Sequence, residues 1–260
     1  MAHLKGLKLT LRSMGPKYVA KEIIRRIAGI PYTYNGILIK DDATFLLVRR
    51  LAYKGSVWRQ GDEVFFRGEL GIFVVPYKDI QLLYPLVGEN FEEMYGYLDV
   101  RGKVVSDIGA YLGETTVLFA RMGARHIHAY EPVFYRLLEY NLRLNNVTNA
   151  TVHPYGVSIE GDVYGVNLDG TASGVRIGDI KIRTKPIGDA IVDVVKMDCE
   201  GCEWALLTLT CQEIRRAEEY ATEIHGPEPL LVRKMEKCGF RAERIWRSNH
   251  ILNIFEYLAF

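Results

Sequence analysis

The sequence has no apolar run approaching the roughly 20 residues that a membrane-spanning helix needs. It also lacks an apolar core followed by a small-residue cleavage site near its start, and the expectation is a cytoplasmic protein. Charge of one sign is missing as well: 33 lysines and arginines stand against 32 aspartates and glutamates. That balance excludes a whole-chain electrostatic case for an obligatory polyanionic partner, so only local clusters can carry one. Cysteine is scarce, with Cys199, Cys202, Cys211 and Cys238 confined to the C-terminal part, which does not match the disulfide framework of a secreted protein. Glutamine occurs only at Gln60, Gln81 and Gln212 while charged residues and tyrosine abound, a composition that leans toward heat-adapted proteins. No internal repeat or low-complexity segment is present. With 48% hydrophobic and 25% charged residues over 260 positions, the chain has an ordinary globular composition and can bury a sizeable core.

The first thirty or so residues are basic, with Lys5, Lys8, Arg12, Lys17, Lys21, Arg25 and Arg26 against the single acid Glu22. Val19, Ile23, Ile24, Ile27 and Ile30 recur at near-helical spacing and predict an amphipathic helix over Pro16–Ala28 with a positive polar face. Such a helix docks on its own domain, or it serves as a surface for membrane, RNA or an anionic substrate. From 32 to 84 the pattern turns to short strand-like runs broken by Asn35-Gly36, Gly61-Asp62 and Gly68. Beyond Gly88-Glu89-Asn90 strand and helix alternate, which predicts βαβ units and a mainly parallel sheet. The boundary falls near residue 90, giving an N-terminal addition over 1–90 and a main domain over 91–260. Strands are expected over 104–108, 126–130, 151–155, 192–197 and 220–224, with antiparallel candidates over 244–246 and 251–257. Helices are expected over 115–122, 133–145, 204–209 and 229–237.

The strongest local signal is Val104-Val105-Ser106-Asp107-Ile108-Gly109-Ala110-Tyr111-Leu112-Gly113-Glu114-Thr115-Thr116, a buried strand running through a glycine turn into a helix. This arrangement brings backbone N–H groups to the C-terminal edge of the sheet, where nucleotide-like ligands bind. A dinucleotide site wants glycine first because pyrophosphate must approach bare backbone, whereas here Asp107 holds that position and the last glycine falls one residue late. NAD is therefore disfavoured. A carboxylate suits a ligand carrying an ammonium and a sulfonium, directly or through water, and S-adenosylmethionine is such a ligand. The next strand ends Tyr130-Glu131-Pro132, about where an acid grips a ribose diol in related folds, with Pro132 set to begin a helix.

A further strand leaves the sheet as Val195-Lys196-Met197-Asp198-Cys199-Glu200-Gly201-Cys202-Glu203. Asp198, Glu200 and Glu203 would face the ligand crevice, where a carboxylate can orient the cofactor, bind an acceptor hydroxyl or act as base; Glu203 can equally cap the next helix. The Cys199/Cys202 spacing admits zinc, a disulfide or simple packing. A structural zinc needs two more ligands that Cys211, His225 and Cys238 are not spaced to supply, so packing is the reading adopted and no metal is assigned. The last parallel strand ends Glu223-Ile224-His225-Gly226, which puts an imidazole suited to general-base work at the same edge; a lone histidine is otherwise structural.

Together these motifs resemble the FkbM family of methyltransferases. The matching stretches are residues 105–113, Tyr130-Glu131-Pro132, Gly156-Val157-Ser158, residues 195–203 and Glu223-Ile224-His225, with Phe91-Glu92-Glu93-Met94-Tyr95 similar to the family's lead-in, whose aromatic side chain lies beside the cofactor. The resemblance implies a doubly wound α/β fold with a seven-stranded, mainly parallel sheet, ending in an antiparallel strand. It also implies S-adenosylmethionine as cofactor and O-methylation of a sugar, glycan or other small molecule. The cofactor-binding set is then Asp107, Gly109, Ala110, Tyr111, Gly113, Thr115, Glu131, Pro132, Gly156, Val157 and Asp198, with the 156–157 backbone near the adenine. His225, Asp198 and Glu200 are the catalytic candidates. Cysteines at 199 and 202 depart from the family pattern and bear on the acceptor rather than the cofactor. The rivals are an RNA methyltransferase that holds phosphates on the basic helix, a protein that binds S-adenosylmethionine without turnover, and an enzyme held at a membrane by that helix. Nucleic acid is disfavoured by the lack of an aromatic-plus-basic RNA module and of an N/D-P-P-Y element after the fourth strand.

Overall fold

Aliphatic runs bounded by glycine turns build the sheet that carries the site. The computed structural model describes residues 2–161, 163–168, 175–225, 227–247 and 250–257. The chain forms two compact units that divide between Gly88 and Glu89.

The N-terminal unit opens with helices α1 (Ala2–Ser13) and α2 (Pro16–Ala28). Pro16 starts α2, where its missing N–H would have no partner anyway, and Gly29 ends it in the left-handed conformation. Strands β1 (Tyr32–Tyr34) and β2 (Ile37–Ile39) pair around Asn35-Gly36, both at positive φ as a tight hairpin requires. Helix α3 (Asp42–Lys54) follows, in a region expected to be only β-rich. Its start is marked by Asp41, whose carboxylate accepts from the Thr44 N–H at 2.7 Å, while Phe45, Val48 and Leu51 bury one face. Strands β3 (Ser56–Gln60), β4 (Glu63–Arg67) and β5 (Ile72–Pro76) form an antiparallel sheet. A 3-10 helix over Tyr77–Leu83 and the short α4 (Pro85–Gly88) complete the unit.

The second unit runs α5 (Phe91–Tyr95), β6 (Val104–Ile108), α6 (Glu114–Met122), β7 (His126–Tyr130), α7 (Tyr135–Leu144), β8 (Ala150–His153), β9 (Gly156–Ser158), β10 (Val163–Leu168) and β11 (Val175–Pro186). It continues through β12 (Val194–Met197), α8 (Cys211–Ile214), β13 (Glu219–Glu223), α9 (Glu228–Lys237), β14 (Phe240–Arg247) and β15 (His250–Tyr257). The seven-stranded sheet has the order β14-β15-β13-β12-β6-β7-β8. Of the two antiparallel candidates only β15 runs against the rest, because β14 turns back on it at the edge. The winding direction reverses between β6 and β12, so the carboxyl ends of these neighbouring strands open the crevice where ligands of such sheets bind. Ile108, Val195, Met197, Tyr220 and Phe255 from the sheet meet Leu206, Leu231 and Met235 in one buried cluster.

Several expectations are corrected. The helix expected from 133 begins at Tyr135, because the Val133 and Phe134 N–H groups both donate to the Glu131 carboxylate and turn the chain first. The segment expected as a helix over 204–209 is a 3-10 helix over Cys202–Thr208. The hairpin of β10 and β11, which pairs with β9 in a separate sheet, was not foreseen. Cys199 and Cys202, expected to pack as thiols, are bridged to each other, and Cys211 is bridged to Cys238. Cys211 opens α8 and Cys238 follows α9, and folding brings their Cα atoms to 5.0 Å across 27 positions of sequence, a proximity that spacing alone does not reveal. Replacing both by alanine should lower the unfolding free energy by about 2–4 kcal/mol, read from denaturant titration beside the wild type with and without reductant.

Candidate active site

Four consecutive buried positions make up β12, and one of them is Lys196. Its neighbour across the parallel ladder is Asp107 of β6. The ammonium lies 3.1 Å from Asp107 Oδ1 and donates to the Gly109 carbonyl at 2.7 Å, while Thr115 and Thr116 each donate a hydroxyl to Asp107 Oδ2 at 2.6 Å. Burial works against the charge on Lys196, but Asp107 and Asp198 outweigh it and hold its pKa above the ordinary lysine value. Asp107 is completely enclosed. The sequence expectation is that this carboxylate accepts from a ligand ammonium directly or through water; in the structure it faces Lys196 beneath the loop and accepts from the hydroxyls at the start of α6.

The loop lies on top of this pair. Gly109, at φ 80°, has no room for a side chain: a Cβ there would come 1.8 Å from the Asp198 carbonyl oxygen. The backbones of Gly109 and Asp198 are therefore in contact at the switch point, joined also by the Asp198 N–H donating to the Ile108 carbonyl. The Gly109 and Ala110 N–H groups both donate to the Tyr130 carbonyl, and Tyr111, at positive φ, donates its N–H to Glu131 Oε2 at 3.1 Å. Gly113 starts α6 in the left-handed conformation against Leu138. Asn141, within α7, donates to the Leu112 carbonyl and ties the loop to that helix.

Glu131 is buried and takes three backbone N–H groups, from Tyr111, Val133 and Phe134. A carboxylate offers about four acceptor sites, so one remains for a ligand hydroxyl. Burial raises its pKa in spite of these donors. Pro132 adjoins Gly156: a Cβ on that glycine would come 3.8 Å from Pro132 and 3.2 Å from Thr184, so the end of β7 and the β9 backbone meet. Val157 is buried beside them. Tyr95 is fully buried, edge-on to Phe119, with the Lys196 ammonium 5.8 Å from its ring centre.

The second half of the site follows β12. Glu203 is fully buried; its Oε1 accepts from the His225 backbone N–H at 2.7 Å and its Oε2 from the Gly201 N–H at 2.9 Å. The imidazole of His225 keeps 30% of its side-chain surface exposed, with Nδ1 at 3.5 Å from Glu203 and Nε2 at 3.4 Å from Glu200. Both separations are ion-pair distances. Glu203, with help from the Glu200 and Asp198 charges, pushes the His225 pKa up to about 9 against the effect of its burial. Asp198, Glu200 and His225 have ligand-type atoms within 4.8 Å of one another. Gly226, noted with His225 in the sequence, lies outside the described residues.

Sequence reasoning missed two groups. Lys196 had a visible signal, a single charge inside an otherwise apolar strand. Glu114, the first residue of α6, is buried, and burial pushes its pKa up to about 8, with Glu89 and Asp107 adding to the effect and Lys196 opposing it. Its Oε1 has no hydrogen-bond partner among the described residues. Nothing in the sequence distinguishes it from a surface glutamate in a first helical turn.

One strand antiparallel among seven, a glycine loop at the switch point and an acid closing the neighbouring strand define a class I, Rossmann-like, S-adenosylmethionine-dependent methyltransferase. More narrowly, the model of the methyltransferase FkbM domain matches residues 107–256, more than half of the chain, and the protein belongs to that family. No curated protein matches the chain. Among solved structures, M. jannaschii TYW2 in complex with AdoMet is 14% identical, covering 77% of this chain and 89% of its own, with a TM-score of 0.46. The precorrin-6y C5,15-methyltransferase from Geobacter metallireducens is 14% identical over 65% of this chain and 85% of its own, at a TM-score of 0.41. Ribosomal protein L11 methylase from Lactobacillus delbrueckii is 14% identical over 71% and 81%, at 0.40.

The cofactor of this family is S-adenosylmethionine, and the residues fit it. Glu131 retains an acceptor site, and Glu114 has a buried oxygen still unsatisfied beside the loop. If the Lys196–Asp107 pair holds this loop, Lys196→Met leaves a buried carboxylate uncompensated. It should then cost about 3–5 kcal/mol of stability in denaturant unfolding, and the Asp107→Asn/Lys196→Met double variant should recover part of that loss. Strictly additive costs would show that the two side chains are not coupled.

Proposed function

We propose that the enzyme methylates a hydroxyl of a sugar, glycan or other small-molecule acceptor, with His225 as general base. S-adenosylmethionine supplies an electrophilic methyl group on its sulfonium. Gly109, Ala110, Tyr111, Gly113 and Thr115 form and support the loop that receives the cofactor, Glu131 accepts a ribose hydroxyl, and Pro132, Gly156 and Val157 border the adenine. Asp198 meets the cofactor side through the backbone it shares with Gly109 and the acceptor side through the carboxylates around His225.

The observation that carries the reading is the setting of His225. Buried Glu203 holds the His225 backbone N–H and lies 3.5 Å from Nδ1 while Glu200 lies 3.4 Å from Nε2, so carboxylates flank the ring on both sides and its neutral form offers one nitrogen to accept a proton. Nε2 is on the partly exposed side with Glu200, which together with Asp198 can take a second acceptor hydroxyl and offset the imidazolium that forms on proton transfer. In-line displacement needs alignment and removal of one proton, which this set can provide.

His225 is protonated below about 9, and in that form it cannot act as base. With an acceptor in hand, kcat/KM should therefore climb about tenfold per pH unit toward that value and level off above it. The same raised pKa means that the charged ring steadies the fold at neutral pH and that this contribution fades as pH passes about 9, so the profile must be read below the unfolding limb. His225→Gln should remove the rising limb and lower kcat/KM by about 10²–10⁴-fold, with calorimetric S-adenosylmethionine affinity unchanged. A profile that keeps its rising limb in this variant assigns the proton to another group. Glu131→Ala should weaken cofactor binding by about tenfold or more in the same titration, the loss of a charge-assisted hydrogen bond; full affinity in this variant would remove Glu131 from the cofactor site.

A further inference from the structure

Helix α2 is turned inside out. An amphipathic helix of a globular unit normally presents its apolar stripe to the core, but the residues α2 buries are Tyr18, Glu22 and Arg25. The Glu22 carboxylate accepts from Arg25 at 2.8 and 2.9 Å and from Arg26 at 2.6 Å, and the Tyr32 hydroxyl reaches it at 3.3 Å. Arg25 also bonds Asp42 at the start of α3. A charged network thus occupies the inward face. The isoleucines occupy the outward one: Ile23 is 44% exposed, Ile24 49%, Ile27 82% and, just past the helix, Ile30 57%.

Positions 23, 24 and 27 share one face of the helix and form a ridge, with Ile30 exposed just beyond the helix end. At 100° per residue Lys17 and Lys21 fall along one margin of that ridge and Arg26 along the other; Lys17 and Lys21 are exposed, with their ammonium groups over the Tyr18 ring. Leu11, Lys8 and Arg12 of α1 are exposed too. The only acid in the first thirty residues is Glu22, which is buried and engaged by two arginines. The solvent-facing surface of this segment therefore combines an exposed isoleucine ridge with the exposed lysines Lys17 and Lys21.

We infer that the isoleucine ridge of α2, with Lys17 and Lys21 beside it, docks the protein on the surface of an anionic lipid bilayer. A helix with a large apolar face and basic margins lies in the plane of a membrane interface, the apolar chains below the headgroups and the lysine stems extending up to the phosphates. The two other occupants fit less well. A second copy would bring like charges together across the ridge, and a nucleic acid would find phosphate partners but no aromatic ring for its bases and an isoleucine surface in between. Among the described residues no helix is long and apolar enough to cross a membrane, so the contact is one of surface attachment. The inference concerns a surface separate from the methyl-transfer residues and does not depend on the acceptor.

The test is sedimentation of the full chain with vesicles of phosphatidylglycerol and phosphatidylcholine, beside vesicles of phosphatidylcholine alone. The wild type should pellet with the anionic vesicles and stay in solution with the neutral ones. Ile23→Gln/Ile27→Gln and Lys17→Gln/Lys21→Gln alter exposed positions and should leave Tm and S-adenosylmethionine affinity unchanged, while each weakens vesicle binding by about tenfold or more. Added salt should weaken wild-type binding without abolishing it, because the ridge contributes a part that salt does not screen. Wild-type protein that stays in solution with anionic vesicles overturns the proposal. So does an isoleucine variant that pellets as fully as the wild type, which would leave only a charge effect. A dimer seen by light scattering and lost in the isoleucine variant assigns the ridge to a second copy, and tight, fully salt-sensitive binding to an RNA homopolymer that ignores the isoleucine change assigns the charge to nucleic acid; either result, without vesicle binding, replaces the bilayer.

Discussion

A lysine and an aspartate, buried side by side on adjacent parallel strands, hold the methyltransferase site together. Lys196 and Asp107 stand opposite each other where β6 meets β12, and the lysine reaches one step further to the Gly109 carbonyl. Neither charge has water to fall back on, so each depends on the other and on the hydroxyls of Thr115 and Thr116. The loop above follows from this. Once its first carbonyl is fixed, Gly109 lies against the Asp198 backbone, Tyr111 reaches Glu131, and Glu131 gathers the chain at the end of β7. The charged pair supports the glycine loop, and Glu131 and Glu114 are buried carboxyl groups beside it.

A second buried acid does the same for the proton-handling side. Glu203 binds backbone at Gly201 and His225, joining the turn after β12 to the end of β13. The Cys199–Cys202 bridge closes that turn, within which Glu200 and Gly201 both take positive φ. Covalent closure restricts a segment that would otherwise sample many conformations, and it does so next to Glu200 and His225. The cysteines that depart from the family pattern thus bear on how rigidly Glu200 is presented to His225.

Much of this was legible from residues alone, and the reasons differ from one element to the next. Strands β6, β7 and β12 and helix α2 were marked by apolar runs and periodicity with clear punctuation. Helix α3 was not, because its four-residue apolar run reads equally as strand until the Asp41 cap is weighed. The β10–β11 hairpin was missed although Val175-Arg176-Ile177 and Ile180-Lys181-Ile182-Arg183 alternate, because Gly178-Asp179 breaks that pattern and a hairpin outside the main sheet leaves no mark in a βαβ reading. The resemblance to the FkbM family, carried by the glycine loop and the D-x-E-G-x-E element, agrees with the domain match over residues 107–256.

The sequence by itself determined the α/β class and pointed to the cofactor, because these rest on local spacing: where a glycine permits a turn, where an acid ends a strand, how often apolar residues recur; the doubly wound order and the family followed from the resemblance its motifs carry. Tertiary structure decided everything that depends on which distant groups become neighbours. It set Asp107 beside Lys196, joined Cys211 to Cys238 and set Glu203 beside His225. It also reversed the two faces of α2, since periodicity shows that a helix has an apolar side but not which side the rest of the chain covers.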